Sequence, residues 1–288
     1  MTRQRAFLEL LLAAALWGFG FIAVRWGLES VGPLWLNALR LMLGFVFGFP
    51  LIFLLPSLRR DFSWKEFSLG MVPGLWLGIL LILQTYGLQY TTVTKSGFIT
   101  CLYIVFVPMV GRLFYNERTS KLHSLWVALS LFGAALICQL NTFDVNLGDW
   151  LTLGCAVAAA LQIVEVGRLT NRARSAYIFT LGQSFWGGLP PLIGAVLVEP
   201  LPSLPFTAHA YWGLAVLIFG CTLLAFVIQS RTQRILSAPV VSLLFLLESP
   251  FAAAFAFFLF GETLTLAQAV GALLILGAAG GCIAGDRK

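Results

Sequence analysis

Two ionisable side chains lie deep inside long apolar runs of the sequence, where they could handle charge. Glu248 sits about midway along the run 237–260, and Arg40 lies about two helical turns into the run 33–55. An unpaired carboxylate in that setting could bind a proton or a cationic group, and a guanidinium could hold a carboxylate through two hydrogen bonds. Structural roles are the alternatives: Glu248 could accept hydrogen bonds from a neighbouring helix, and Arg40 could snorkel or join two helices.

Polar side chains also recur at helical spacing. Ser96, Thr100 and Tyr103 occupy positions i, i+4 and i+7, which places them on one face of a helix. A similar stripe in a later run consists of Ser242, Phe245 and Ser249. Such stripes predict either the wall of a polar cavity or hydrogen bonds between helices, and the spacing leaves both open.

Amides and aromatic rings inside other apolar runs complete the set of candidate cavity residues. An aromatic ring could stack on an aromatic group or cover a hydrophobic one, whereas rings near the ends of runs are typical of interfacial anchors. The candidates for the cavity are Trp17, Gln84, Tyr86, Gln162, Trp186 and Gln229.

The composition requires lipid around most of the chain. Of its 288 residues, 59% are hydrophobic and 10% are charged, and the mean hydropathy is +0.92. Soluble domains carry roughly 25% charged residues, so an ordinary soluble protein is excluded. The five cysteines lie in apolar runs without a CxxC spacing, and neither a disulfide framework nor a metal or other cofactor is expected.

The elements that must position these side chains are transmembrane helices. A helix needs roughly 20 apolar residues to cross a bilayer, and ten such runs use nearly the whole chain. The sequence therefore predicts an all-α polytopic membrane protein with ten transmembrane helices. The predicted spans are 7–28, 33–55, 67–90, 94–115, 122–140, 148–167, 177–198, 209–231, 237–260 and 266–284.

The basic residues predict the orientation of these spans. Most of the 18 lysines and arginines fall on the side that also holds the N-terminus if the ten spans alternate. Because basic residues of short loops stay in the cytoplasm, both termini are predicted to be cytoplasmic. The charge is spread over many short loops, so no nucleic-acid partner is expected.

A weak internal repeat divides the chain into residues 1–143 and 144–288. Pro108 precedes Glu117 in the first half much as Pro250 precedes Glu262 in the second. Each half contains five spans, and because five is odd, the second half must enter the membrane from the opposite side. The sequence therefore predicts two inverted-topology repeats with a site near the middle of the membrane.

Several short motifs resemble those of a known family. They are Leu16-Trp17-Gly18, Arg40, Ser96–Thr100 with Phe106-Val-Pro108, Glu117, Glu248-Ser-Pro250 and Gly261-Glu262-Thr263. With them the chain resembles, over essentially its whole length, the ten-helix branch of the drug/metabolite transporter superfamily, which is built from two EamA-type repeats. Within that branch it looks most like the YddG-like aromatic amino-acid exporters. It departs from the pattern at Ala159-Ala160, where a second Trp-Gly pair would be expected.

The resemblance implies a secondary transporter of the cell (inner) membrane that exports small metabolites by alternating access through a central cavity. Aromatic or hydrophobic amino acids are the expected substrates, and other drugs or metabolites are the alternative. An intramembrane enzyme is disfavoured because His123 and His209 lie at span ends, and a channel is disfavoured because two inverted halves suit alternating access. The expected partners are a small-molecule substrate and the lipid bilayer, with the chain as a monomer or, through a face containing Gly277, a homodimer.

Overall fold

The computed structural model describes residues 2–91, 93–116, 120–138, 145–260 and 265–285, and this part of the chain is helical without any strand. It contains ten helices long and apolar enough to cross a membrane, which confirms the predicted fold class. They are α1 (Arg3–Gly27), α2 (Pro33–Leu54), α3 (Trp64–Gly87), α4 (Ser96–Tyr115), α5 (Lys121–Cys138), α6 (Leu147–Arg172), α7 (Ala176–Val198), α8 (Ala208–Thr232), α9 (Ala238–Leu259) and α10 (Leu266–Ala284). A short helix, Pro56–Asp61, connects α2 to α3.

Contacts between helix ends define two sides of the bundle. Arg231, at the end of α8, lies 3.4 Å from the Glu9 carboxylate near the start of α1, whereas His209 at the start of α8 stacks on Trp26 at the end of α1. These two helices are therefore antiparallel. We call the side that holds the start of α1 the N-terminal side and the other the opposite side.

The remaining ends can be assigned to these sides in the same way. Arg234, just beyond α8, donates a hydrogen bond to the carbonyl oxygen of Ala173, and the neighbouring Arg174 N–H donates to the Glu66 carboxylate near the start of α3. The α3 start therefore lies on the N-terminal side. At its other end α3 brings Gly87 against Gly148, so α6 starts on the opposite side.

The two sets of five helices form an inverted repeat. Helices α1 and α6 begin on opposite sides, and equivalent helices of the two repeats make equivalent contacts. Helix α1 packs on α8 and α9, and its counterpart α6 packs on α3 and α4. Helix α2 packs on its counterpart α7, and α5 packs on its counterpart α10. The proposed boundary between residues 143 and 144 falls at the edge of a stretch outside the described residues and stays a prediction.

Glycines allow several close contacts between the helices. A Cβ at Gly74 of α3 would lie 2.7 Å from the carbonyl oxygen of Gln183 on α7, and a Cβ at Gly18 of α1 would lie 2.8 Å from that of Glu248 on α9. Helices α3 and α7, and likewise α1 and α9, can approach this closely because glycine has no side chain. By contrast, nothing lies within 4 Å of a Cβ at Gly277, so the homodimer expectation for that face stays a prediction.

Two counterpart helices are interrupted near mid-membrane. Helix α4 is broken at Leu102, between Cys101 and Tyr103, and α9 is broken at Leu246 and Leu247, between Phe245 and Glu248. At the α9 interruption, Pro250 lacks the N–H that would bond to Leu246, whose carbonyl oxygen instead accepts from Ser249 at 3.1 Å. Irregular backbone at this depth is tolerated only where it is buried in protein or lines a cavity.

Candidate functional site

A cavity of about 150 Å³ lies between the two repeats. Helices α1, α2, α3, α4, α6, α8 and α9 all contribute to its wall. Both helix interruptions face it: Thr100 and Tyr103 flank the break in α4, and Phe245 and Glu248 flank the break in α9. The interruptions therefore place polar groups at the interface between the repeats.

Glu248 supplies the carboxylate of this cavity. It lies close enough to Tyr103 and Cys155 to interact electrostatically with both. Within the described ranges, no hydrogen bond or ion pair engages its carboxylate, and the buried Tyr103 hydroxyl also has no hydrogen-bond partner. The carboxylate is thus available to a proton or to a cationic group in the cavity.

Arg40 supplies the cation. Its side chain is buried and lines the cavity beside Cys221, so the guanidinium does not snorkel towards the membrane surface. Its hydrogen bond within the described structure, from Nε to the hydroxyl of Thr222, is long at 3.5 Å. No described ion pair joins it to Glu248, so the two opposite charges share one cavity without neutralising each other.

Aromatic rings form the wall near the centre. The Trp17 ring packs edge-on against Phe245, with ring centroids 4.7 Å apart, and lies 5.3 Å from the Phe226 ring. Its indole Nε1 donates to the carbonyl oxygen of Cys221 at 3.2 Å. That carbonyl belongs to a π-helical segment of α8, Val216–Leu224, a type of irregularity that is common at functional sites.

Glutamines lie at both ends of the cavity. Towards the N-terminal side, Gln162 donates to the side-chain oxygen of Gln183 at 3.1 Å and accepts from Gln229 at 3.1 Å. Gln162 and Gln229 also line the cavity. Towards the opposite side, Gln84 lines the cavity, and its side-chain amide has no hydrogen bond in the described structure.

Five predicted cavity residues lie elsewhere. The three serines use their hydroxyls locally: Ser96 pairs with Thr152 of α6 at 3.2 Å, Ser242 donates to the Pro239 carbonyl oxygen at 2.8 Å, and Ser249 lies 3.8 Å from the Cys101 sulfur. These hydroxyls therefore form local or interhelical hydrogen bonds and do not contribute to a polar cavity wall. Only Thr100 and Tyr103 from the first stripe and Phe245 from the second line the cavity.

The other two are aromatic residues. Tyr86 lines a separate surface pocket on the opposite side, together with Gln89 and Glu199. Trp186 packs against Phe185 in an aromatic cluster between α2, α3 and α7. Tyr86 is two residues from Gln84, which does face the cavity, whereas no residue of α7, the helix of Trp186, lines it.

Several wall residues were missed from the sequence. Cys155 and Cys221 are buried among apolar neighbours and also line the cavity, together with Ala159, Leu81 and Phe226. Nothing in their types singles them out. Two motif residues of the predicted repeat, Glu117 and Glu262, lie outside the described residues.

Two inverted five-helix repeats around a central cavity, with counterpart helices interrupted at that cavity, are an arrangement typical of membrane transporters. Comparison with known proteins identifies the group within this class. The model of the EamA-like transporter family matches residues 4–139 and 146–282, one match for each repeat. The chain belongs to the EamA-like transporter family, as the resemblance in the sequence predicts.

Similar proteins agree with this assignment. An uncharacterized transporter of Archaeoglobus fulgidus is 29% identical over 96% of this chain and 85% of its own. A protein of Escherichia coli (strain K12) named a probable amino-acid metabolite efflux pump is 24% identical over 96% of this chain and 93% of its own. One solved crystal structure, 18% identical, covers 99% of both chains with a TM-score of 0.80 and shares the fold. The narrower resemblance to YddG-like exporters stays a prediction.

Proposed function

We propose that this protein exports aromatic or hydrophobic amino acids by alternating access through the central cavity. The transporter carries its substrate as the zwitterion, with the carboxylate at Arg40 and the ammonium at Glu248. In this proposal the N-terminal side faces the cytoplasm of a cell whose inner membrane holds the chain. The name of the Escherichia coli relative supports an amino-acid metabolite as the cargo.

The observation that carries the proposal is the pairing of two unneutralised charges with an aromatic wall. A buried guanidinium and a half-buried carboxylate inside the membrane are costly unless each has a partner, and a zwitterion supplies both partners at once. Trp17, Phe226 and Phe245 then offer apolar and aromatic surface to the side chain of the substrate.

The size of the cavity also favours a small substrate. Sites for drug-sized ligands occupy roughly 300–1,000 Å³. The cavity here measures about 150 Å³, so in this conformation it suits an amino acid better than a bulky drug. We further propose that Glu248 is the group through which a proton gradient acts on transport, because a carboxylate at that position can hold a proton as well as an ammonium group.

The test is uptake by liposomes that contain the purified protein. Labelled phenylalanine, tryptophan and threonine are offered with and without a proton gradient, and unlabelled competitors measure saturation. We expect saturable aromatic uptake that is competed by phenylalanine. Phenylpropionate lacks the ammonium group and phenethylamine lacks the carboxylate, so each should compete at least about tenfold more weakly.

Two results would contradict the proposal. Absence of uptake for every amino acid by folded protein would redirect the search to other drugs and metabolites. Equal competition by phenylalanine and by its two one-charge analogues would show that the site does not recognise both charged groups of the substrate.

A further inference from the structure

Two buried hydrogen-bonded pairs occupy equivalent positions in the two repeats. Asn37, the fifth residue of α2, donates to the hydroxyl of Thr85, the third residue from the end of α3, at 3.0 Å. Thr180, the fifth residue of α7, pairs with the hydroxyl of Ser230, the third residue from the end of α8, at 3.0 Å. We call these pairs the opposite-side clasp and the N-terminal-side clasp.

The equivalence extends to the backbone. Asn37 also donates to the carbonyl oxygen of Leu81 at 3.2 Å, four residues before Thr85, and Thr180 donates to that of Phe226 at 3.3 Å, four residues before Ser230. Leu81 and Phe226 both line the cavity. Each clasp therefore lies just behind the cavity wall, one towards each side of the membrane.

The side chains next to the clasps break this symmetry. Beside the N-terminal-side clasp, Gln183 donates to Ser230 at 3.3 Å and joins Gln162 and Gln229, so a continuous buried cluster ties α6, α7 and α8 together. The counterparts of Gln183 and Gln229 beside the opposite-side clasp are Arg40 and Gln84. Neither of these forms a comparable bond, and both face the cavity.

The extent of the cavity towards each side matches this difference between the two clasps. On α1 its wall reaches Val24, three residues from the helix end on the opposite side. Towards the N-terminal side, the cluster of Gln162, Gln183, Gln229 and Ser230 closes it, and the members beyond the cavity wall, Gln183 and Ser230, have no exposed surface. The structure is thus closed on the N-terminal side at this cluster.

We infer that the hydrogen-bonded cluster of Gln162, Gln183, Gln229 and Ser230 is the gate between the cavity and the N-terminal side. We call it the glutamine gate. Separating α6 from α7 and α8 breaks the hydrogen bonds of Gln162 and opens a polar route from the cavity to that side, while the clasps keep the α2–α3 and α7–α8 pairs together. Amides suit this task because their hydrogen bonds can be exchanged for water or substrate at little net cost.

The test measures access to the cavity from the N-terminal side. Ala159 lines the cavity midway along α6, and Ala159→Cys supplies a thiol of nearly the same size. Membrane vesicles of known sidedness are treated on the N-terminal side with a membrane-impermeant maleimide. Labelling of position 159 is read site by site by mass spectrometry, so the native cysteines stay in place. The readout requires no knowledge of the substrate, so it is independent of the proposed amino-acid cargo.

The gate variant is Gln162→Leu, because Gln162 bonds to both other glutamines. Gln233→Leu is the matched control: Gln233 is also a buried glutamine and donates to the Ile163 carbonyl oxygen at 2.8 Å, but it lies outside the gate. We expect labelling from the N-terminal side to be about tenfold faster in Gln162→Leu, which corresponds to about 1.4 kcal/mol. The control should label as slowly as the parent.

Two outcomes overturn the inference. One is unchanged labelling in a Gln162→Leu protein that unfolds at the parent temperature, and the other is equal acceleration by Gln233→Leu. If Gln162→Leu does not fold, Gln162→Asn replaces it. Asparagine keeps the amide, but its side chain is one methylene too short to reach both Gln183 and Gln229. We expect the same faster labelling in Gln162→Asn, and the same two outcomes would overturn the inference.

Discussion

The indole Nε1 of Trp17 donates a hydrogen bond to the carbonyl oxygen of Cys221, 3.2 Å away, and this bond joins the first repeat to the second. The same ring packs against Phe226 of α8 and Phe245 of α9. One side chain thus connects three helices at the wall of the cavity. Both the stability of the bundle and the contact with an aromatic substrate should depend on it.

We therefore expect Trp17→Phe to keep the packing and lose the bond, and so to lower the free energy of unfolding by about 1 kcal/mol. Trp17→Ala also empties the space of the ring and should cost about 3–5 kcal/mol. Thermal unfolding in one detergent measures both. Trp212→Phe is the control, because Trp212 is largely exposed and should shift the midpoint little. A Trp17→Phe midpoint no lower than that control would contradict a stabilising role for the bond.

Removing the charge of Arg40 should weaken the binding of a substrate carboxylate. We expect Arg40→Gln to raise the KM for phenylalanine about 10- to 100-fold, which matches the loss of a hydrogen bond between charged groups. Phenethylamine has no carboxylate, so its weak competition should not change. The control is Arg25→Gln, in the last turn of α1. An unchanged KM in folded Arg40→Gln would assign Arg40 to structure alone.

Removing the carboxylate of Glu248 should abolish transport or make it insensitive to pH. Glu248→Gln keeps the size of the side chain but can neither bind a proton at the carboxylate nor carry a negative charge. The measurement is the rate of uptake across a pH series, with expression and unfolding temperature followed in parallel. Glu29→Gln, at a partly exposed position on the opposite side, serves as control. A normal pH profile in Glu248→Gln would point to a structural role.

Adding a methyl group at Gly18 should push α1 away from α9. The new Cβ would lie 2.8 Å from both the Glu248 carbonyl oxygen and the Phe251 Cβ, and such overpacking typically costs about 1–3 kcal/mol. Gly277→Ala introduces the same atom into open space and should be neutral or slightly stabilising. Their thermal midpoints in the same detergent should differ by several degrees. Equal midpoints would mean that α1 and α9 separate without cost.

The membrane-spanning architecture follows from the sequence because it depends on the length and hydropathy of runs of consecutive residues. Ten apolar runs of sufficient length predict ten helices, and an odd number of spans in each half requires an inverted second half. Glu248 and Arg40 also stand out directly, since a charge inside an apolar run is costly and must find a polar setting. The structure places both in one cavity.

Only the tertiary structure decided which neighbouring residues share that cavity. Each residue turns a helix by about 100°, so an interruption of one or two residues redirects everything beyond it. The break at Leu246–Leu247 brings Glu248 and Phe245 to the cavity and leaves Ser249 beside Cys101. Each clasp and the glutamine gate join different helices of one repeat, so their hydrogen bonds exist only once those helices are packed together.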